Sequence, residues 1–171
     1  MKLVKADNGM NILGQGGKII LFTLPSLAAA LWLSRDMPSV AALPAALSQV
    51  RLLGYALLLC GAVLWAAGLV QLLAAFPKGR LATSGAYGVC RNPIYSSFIV
   101  FILPAISLLT LTWVYLVVSA FLYAGVRLFI GKEEEQLLRV FGDEYARYFR
   151  RRSRIMPWGT PANRGRIGDI A

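Results

Sequence analysis

IYSSFIVFILPAISLLTLTWVYLVVSAFLYAGVRLFI, residues 94–130, is a run of 37 residues whose only charge is Arg127. Wound as one α-helix it would be about 55 Å long. The hydrocarbon core of a bilayer is only about 30 Å thick. The stretch must therefore cross, turn and come back. The turn is expected at Thr110-Leu111-Thr112, leaving arms over 94–109 and 112–130. A helical hairpin returns the chain to the face it left. Arg91-Asn92-Pro93-Ile94-Tyr95, just before the hairpin, and Glu133-Glu134-Glu135, just after it, then meet at one membrane surface. A cation, an amide, a phenol and carboxylates gathered there make a candidate site.

Composition places the whole chain in the same class. Of its 171 residues 57% are hydrophobic, and the mean hydropathy is +0.61. Such values mark an integral membrane protein, here read as one all-α domain over 1–171. The net charge of +10, from 18 Lys and Arg against 8 acids, reads as cytoplasmic loops and contact with anionic lipid rather than nucleic acid. Cys60 falls inside an apolar helix and Cys90 in a polar loop, so no disulfide is expected. With no histidine and two distant cysteines, no metal site is expected either. The polar start, with Lys2, Lys5, Asp7 and Asn8, lacks the pattern of a cleavable signal peptide.

Two further spans precede the hairpin, over 18–34 and 52–76, giving about four transmembrane helices in all. Pro25 predicts a kink in the first. Gly54, Gly61 and Gly68 recur every seven residues along the second, a small-residue stripe suited to close helix packing; its partner, within the chain or in a second copy, is left open. Residues 35–49 read as a connector and 77–91 as a loop. Beyond Lys132 the chain turns polar, yet Leu137, Leu138, Phe141, Tyr145, Tyr148 and Phe149 keep helical spacing on one side. Gly142-Asp143 predicts a break between two short amphipathic helices lying at the cytosolic surface. Arg150, Arg151, Arg152 and Arg154 read as an anionic-lipid anchor, and residues 158–171 as a frayed tail. The N-terminus, the 77–93 loop and the C-terminal region share one face and carry nearly all the Lys and Arg; Arg35 and Arg51 lie on the other. The positive-inside rule makes the first face cytoplasmic, with both termini there.

Each cluster has a plain structural explanation. Carboxylates favour the first turn of a helix, an arginine can snorkel, and Pro and Tyr commonly open a helix at headgroup level. Their joint pattern says more. Leu81-Ala82-Thr83-Ser84-Gly85-Ala86-Tyr87, then Arg91-Asn92-Pro93-Ile94-Tyr95, then Glu133-Glu134 followed by Leu137, Phe141-Gly142 and Tyr145 resembles the isoprenylcysteine carboxyl methyltransferase and phospholipid methyltransferase superfamily, in its small prokaryotic form. The likeness covers roughly residues 79–157.

The resemblance implies a membrane-embedded, S-adenosylmethionine-dependent methyltransferase of the prokaryotic inner membrane, with a cytosol-facing cofactor pocket and a lipophilic substrate entering from the bilayer. It implies that Leu81, Ala82, Tyr87, Asn92, Pro93, Ile94, Tyr95 and Glu133 bind the cofactor. Arg91 and Glu134 are the candidate catalytic residues: Arg91 would orient the loop or a substrate headgroup, and with no histidine a general base would have to be Glu134, a tyrosine, or nothing at all. Two positions depart from the family pattern. Asn92 stands where many members have His, and Phe129 stands where the prenylcysteine enzymes carry an arginine, which argues against prenylcysteine carboxyl methylation. Competing readings are an NADPH-dependent enzyme resembling the sterol reductases, and a non-catalytic lipid-binding membrane protein.

Overall fold

The computed structural model describes residues 16–44 and 49–156. The expectations for the first 15 residues and for the 158–171 tail lie outside the described residues. Those described form α1 (Gly16–Asp36), α2 (Pro38–Ala41), α3 (Arg51–Ala75, prolonged by a 3-10 turn at Phe76–Lys78), α4 (Ala86–Val89), α5 (Pro93–Thr110), α6 (Val114–Phe129) and α7 (Gly131–Arg151). Three helices are each long and apolar enough to cross a membrane: α1, the Arg51–Lys78 helix and α5. The fourth, α6, has 16 residues and passes the same test only together with α7, from which it is bent by 44°. The chain is an all-α membrane protein.

The hairpin turns where expected. Leu111 takes the left-handed conformation (φ 53°), Thr112 N–H donates to the Ser107 carbonyl at 3.0 Å, and the Ser107 hydroxyl donates to the Thr112 carbonyl. Because residues 111–113 make the turn, the returning arm begins at Val114 rather than 112. Of the 35–49 connector, residues up to 44 are described together with 49. It carries α2 and clasps the turn, with Trp113 Nε1–H donating to the Val40 carbonyl at 2.9 Å and Leu43 N–H to that of Leu111. In α1, helical structure runs on through Pro25 without a break.

Packing between spans follows small residues, because lipid supplies no hydrophobic force between helices and close dispersion contact must do so. The buried residues of α3 are Gly54, Gly61 and Gly68. A methyl group at these positions would meet Leu109, Ile102 and Pro93, all on α5. The stripe therefore serves an intramolecular contact. On the other side of α5, α6 packs against α1 through Ile19, Val126 and the Phe22–Phe121 and Phe22–Phe129 ring pairs. The principal contacts form a row α1–α6–α5–α3. Within α5, residues Ser97–Ile102 are π-helical, and the Ser119 hydroxyl of α6 donates to the Ile99 carbonyl in this stretch at 2.7 Å. Such π-turns concentrate near functional sites.

The expected break in the polar C-terminal helix is present: Gly142 has φ 50° and ψ −126°. Past α7 the chain forms a strap, residues 152–156, that drops Ile155 into the core beside Ile19, Ile99, Val126 and Ile130.

Candidate functional site

α1 and α5 begin, and α3 and α6 finish, at the same end of the row, and a cavity of about 540 Å³ lies there. All ten candidate residues line it: Leu81, Ala82, Tyr87, Arg91, Asn92, Pro93, Ile94, Tyr95, Glu133 and Glu134. The two clusters flanking the hairpin do meet. Arg91 Nη1 lies 3.2 Å from Glu134 Oε1, with both side chains almost fully buried.

Local structure explains how each residue arrives. Pro93 opens α5 at the position where its missing N–H costs nothing, and the Asn92 carbonyl receives the Ser96 N–H at 2.9 Å. The loop carrying Leu81, Ala82 and Tyr87 is pinned at two points. Gln71 of α3 accepts the Ala86 N–H at 3.1 Å, and the Tyr148 hydroxyl of α7 donates to the Tyr87 carbonyl at 2.7 Å. Glu133 and Glu134 sit in the first turn of α7, each donating its N–H to the Ile130 carbonyl at 3.0 Å.

The two glutamates have different surroundings. Glu134 is gripped by Arg154 as well as by Arg91: Arg154 Nε–H donates to Oε1 at 3.2 Å and Nη2–H to Oε2 at 2.5 Å. Both of its oxygens are held by guanidinium groups. Glu133 lies close enough to Tyr87 for its charge to act on that phenol. Asn92 spends its amide Nδ2–H on the Arg154 carbonyl (3.2 Å), its backbone N–H goes to the same acceptor (3.1 Å), and the Arg91 N–H goes to the Ser153 carbonyl (2.9 Å). The segment just before α5 is thus bonded to the strap.

Burial keeps the phenols around the cavity protonated. It pushes Tyr87 up, with Tyr148 and Glu133 adding to the effect. It does the same for Tyr145, where Glu134 adds and Arg91 partly offsets, and for Tyr148. The Cys90 thiol is raised by burial too. None of these groups is a ready nucleophile or base at neutral pH.

Sequence reading missed three parts of the site. The first is the α1 wall of Ile20, Thr23, Leu24 and Leu27, since α1 is apolar all round and no pattern separates its lipid face from its cavity face. The second is Arg154, grouped with the surface arginines but directed inward onto Glu134; the buried Ile155 beside it is the signal that could have found it. The third is Phe149, whose ring lies 3.8 Å from Arg91 Cζ. Phe129 is not among the lining residues; it packs on Phe22 at 5.8 Å between ring centroids.

Fold and cavity together define an all-α integral membrane protein with a ligand-sized, polar-ended pocket at one end of its helices. No protein-family model matches the chain, and searches of the curated proteins and of the solved structures return no match.

Proposed function

We propose that this protein is an S-adenosylmethionine-dependent methyltransferase acting on a lipophilic, membrane-borne substrate. The observation that carries the reading is the Arg91–Glu134 contact across the hairpin, which gathers the residues of the family resemblance around one cavity. That cavity suits the cofactor in size and in donor set. It offers a carboxylate for a cationic centre, and phenols and apolar walls for a purine.

When bound, the cofactor would supply a methyl group already activated on a sulfonium, the carbon–sulfur electron pair staying with sulfur on transfer. The chain's own residues then have positional tasks. Glu133 balances positive charge. Tyr87 and Tyr95 pack against and hydrogen-bond the ligand, while Leu81, Ala82, Pro93 and Ile94 exclude water. Asn92 fixes the segment to the strap. Glu134 is a positioning residue, acting through Arg91. The gap between α1 and α3, flanked by Leu24, Leu27 and Leu72 of the lining, admits an apolar substrate sideways. Holding donor and nucleophile in line at about 3–3.5 Å is the main contribution. An amine would react as its free base, its ammonium product shedding the proton to bulk water on release, and a carboxylate or thiolate has none to lose.

Glu133→Ala should abolish binding of S-adenosylhomocysteine, read by calorimetry in detergent, while the protein still inserts and keeps its helicity. Unchanged affinity would remove Glu133 from the site. Wild-type protein should melt higher with S-adenosylhomocysteine than with NADPH; the reverse order points to a reductase. The cavity end is further proposed to face the cytosol of a prokaryotic inner membrane, because it carries most of the Lys and Arg. A C-terminal reporter that is active only in the periplasm should then stay silent.

A further inference from the structure

We infer that Arg91 is an oxyanion anchor: a carboxylate or phosphate carried by the bound ligand docks against the free edge of its guanidinium. This deepens the methyltransferase reading and rests on it for the identity of one ligand. Arg91 is only 5% exposed, yet it lines the cavity. Among the described residues its Nε, Nη1 and Nη2 have no aligned hydrogen-bond partner; the Tyr145 phenol lies near the guanidinium but is not aligned to accept from it. The Phe149 ring covers one face of the guanidinium plane at 3.8 Å, so its N–H donors can be satisfied only in plane.

Glu134 does not supply that satisfaction. Its Oε1 is within 3.2 Å of Nη1, close enough for charge but without hydrogen-bond alignment, and the same carboxylate receives both of its aligned bonds from Arg154. Two buried or half-buried cations thus share the Glu134 carboxylate, and the aligned bonds go to Arg154, leaving a donor fork on Arg91. A planar fork of this kind matches a carboxylate or phosphate in two-point geometry. The anion has two possible sources: the carboxylate at the amino-acid end of the cofactor, or an acidic headgroup on the lipophilic substrate.

The test uses full-length protein in neutral detergent and two ligand pairs, each differing only in the anion. One pair is S-adenosylhomocysteine and its decarboxylated analogue; the other is hexadecyl phosphate and hexadecanol. In the wild type, the member lacking the anion should bind about 10- to 100-fold more weakly in one pair, as expected for loss of a charge-assisted pairing. A difference in the first pair assigns the cofactor carboxylate, and one in the second assigns the substrate. In Arg91→Gln that difference should vanish. Arg91→Lys, which keeps the charge without the planar fork, should retain part of it. Since the ligand pairs are read on the wild type, the result does not depend on the variants folding. If both members of both pairs agree within about threefold, including by failing to bind, the anchor is overturned. If only the lipid pair discriminates and S-adenosylhomocysteine does not bind, the anchor stands and the methyltransferase reading falls.

Discussion

Gly85 shows how much a single position decides. Its φ of 57° with ψ of −124° is a conformation that costs a side-chain-bearing residue dearly. A β-carbon there would also lie 1.9 Å from Gln71 Nε2, the side chain that caps the Ala86 N–H. Gly85→Ala should therefore cost roughly 2–4 kcal/mol and detach the loop that carries Tyr87, seen as a lower melting temperature in detergent. Gly79→Ala is the control. Its φ of 60° is left-handed too, but nothing lies within 4 Å of the added methyl, so the loss should be only about 1 kcal/mol. The glycine was legible in the sequence as part of a motif. Its partner was not, because Gln71 lies on another helix and only the fold brings it there.

For whole elements, spacing was the more informative signal. Seven-residue periodicity placed Gly54, Gly61 and Gly68 on one face, and that face is the α3–α5 contact. At Gly61 a methyl would sit 2.7 Å from Ile102 Cγ1 and 2.8 Å from Phe101 Cβ. Gly61→Ala should push the helices apart at a cost of about 1–3 kcal/mol. At Gly17, on the exposed start of α1, there is nothing within 4 Å, and Gly17→Ala should be neutral or stabilise by up to about 1 kcal/mol. Paired unfolding curves in mixed micelles check both; equal effects would mean that the stripe is not a packing seam. The Gly142 break was equally readable, since a glycine inside a strongly amphipathic helix marks a place where the backbone can turn. The strap was not. Its grip depends on carbonyls of Ser153 and Arg154, and every residue type presents a carbonyl.

Over the molecule as a whole, burial of the cavity end ties stability to alkaline pH. Tyr87, Tyr145 and Tyr148 titrate above the ordinary phenol in the folded state. The folded value exceeds the unfolded one of about 10, so the stabilisation from these groups is complete below that pH and is lost as pH rises beyond it. Phenolate absorbance from the three should appear only with loss of helical circular dichroism. Tyr145→Phe should reduce the steepness of the alkaline decline. Titration of all three with helicity intact would show that water reaches them freely.

The sequence by itself determined the membrane class, the hairpin, the glycine seam, the Gly142 break and the meeting of the Arg91 and Glu133-Glu134 clusters. Each of these follows from length or periodicity along the chain, which bilayer thickness and helix geometry convert directly into position. Only the tertiary structure decided that Glu134 is clamped by Arg154 while Glu133 lies near the Tyr87 and Tyr95 phenols, and that a cavity opens between α1 and α3. An ion pair depends on directions in space that neighbouring residues do not encode. An apolar side chain facing lipid is also chemically the same as one facing a pocket, so the wall of the cavity leaves no mark in the order of its residues.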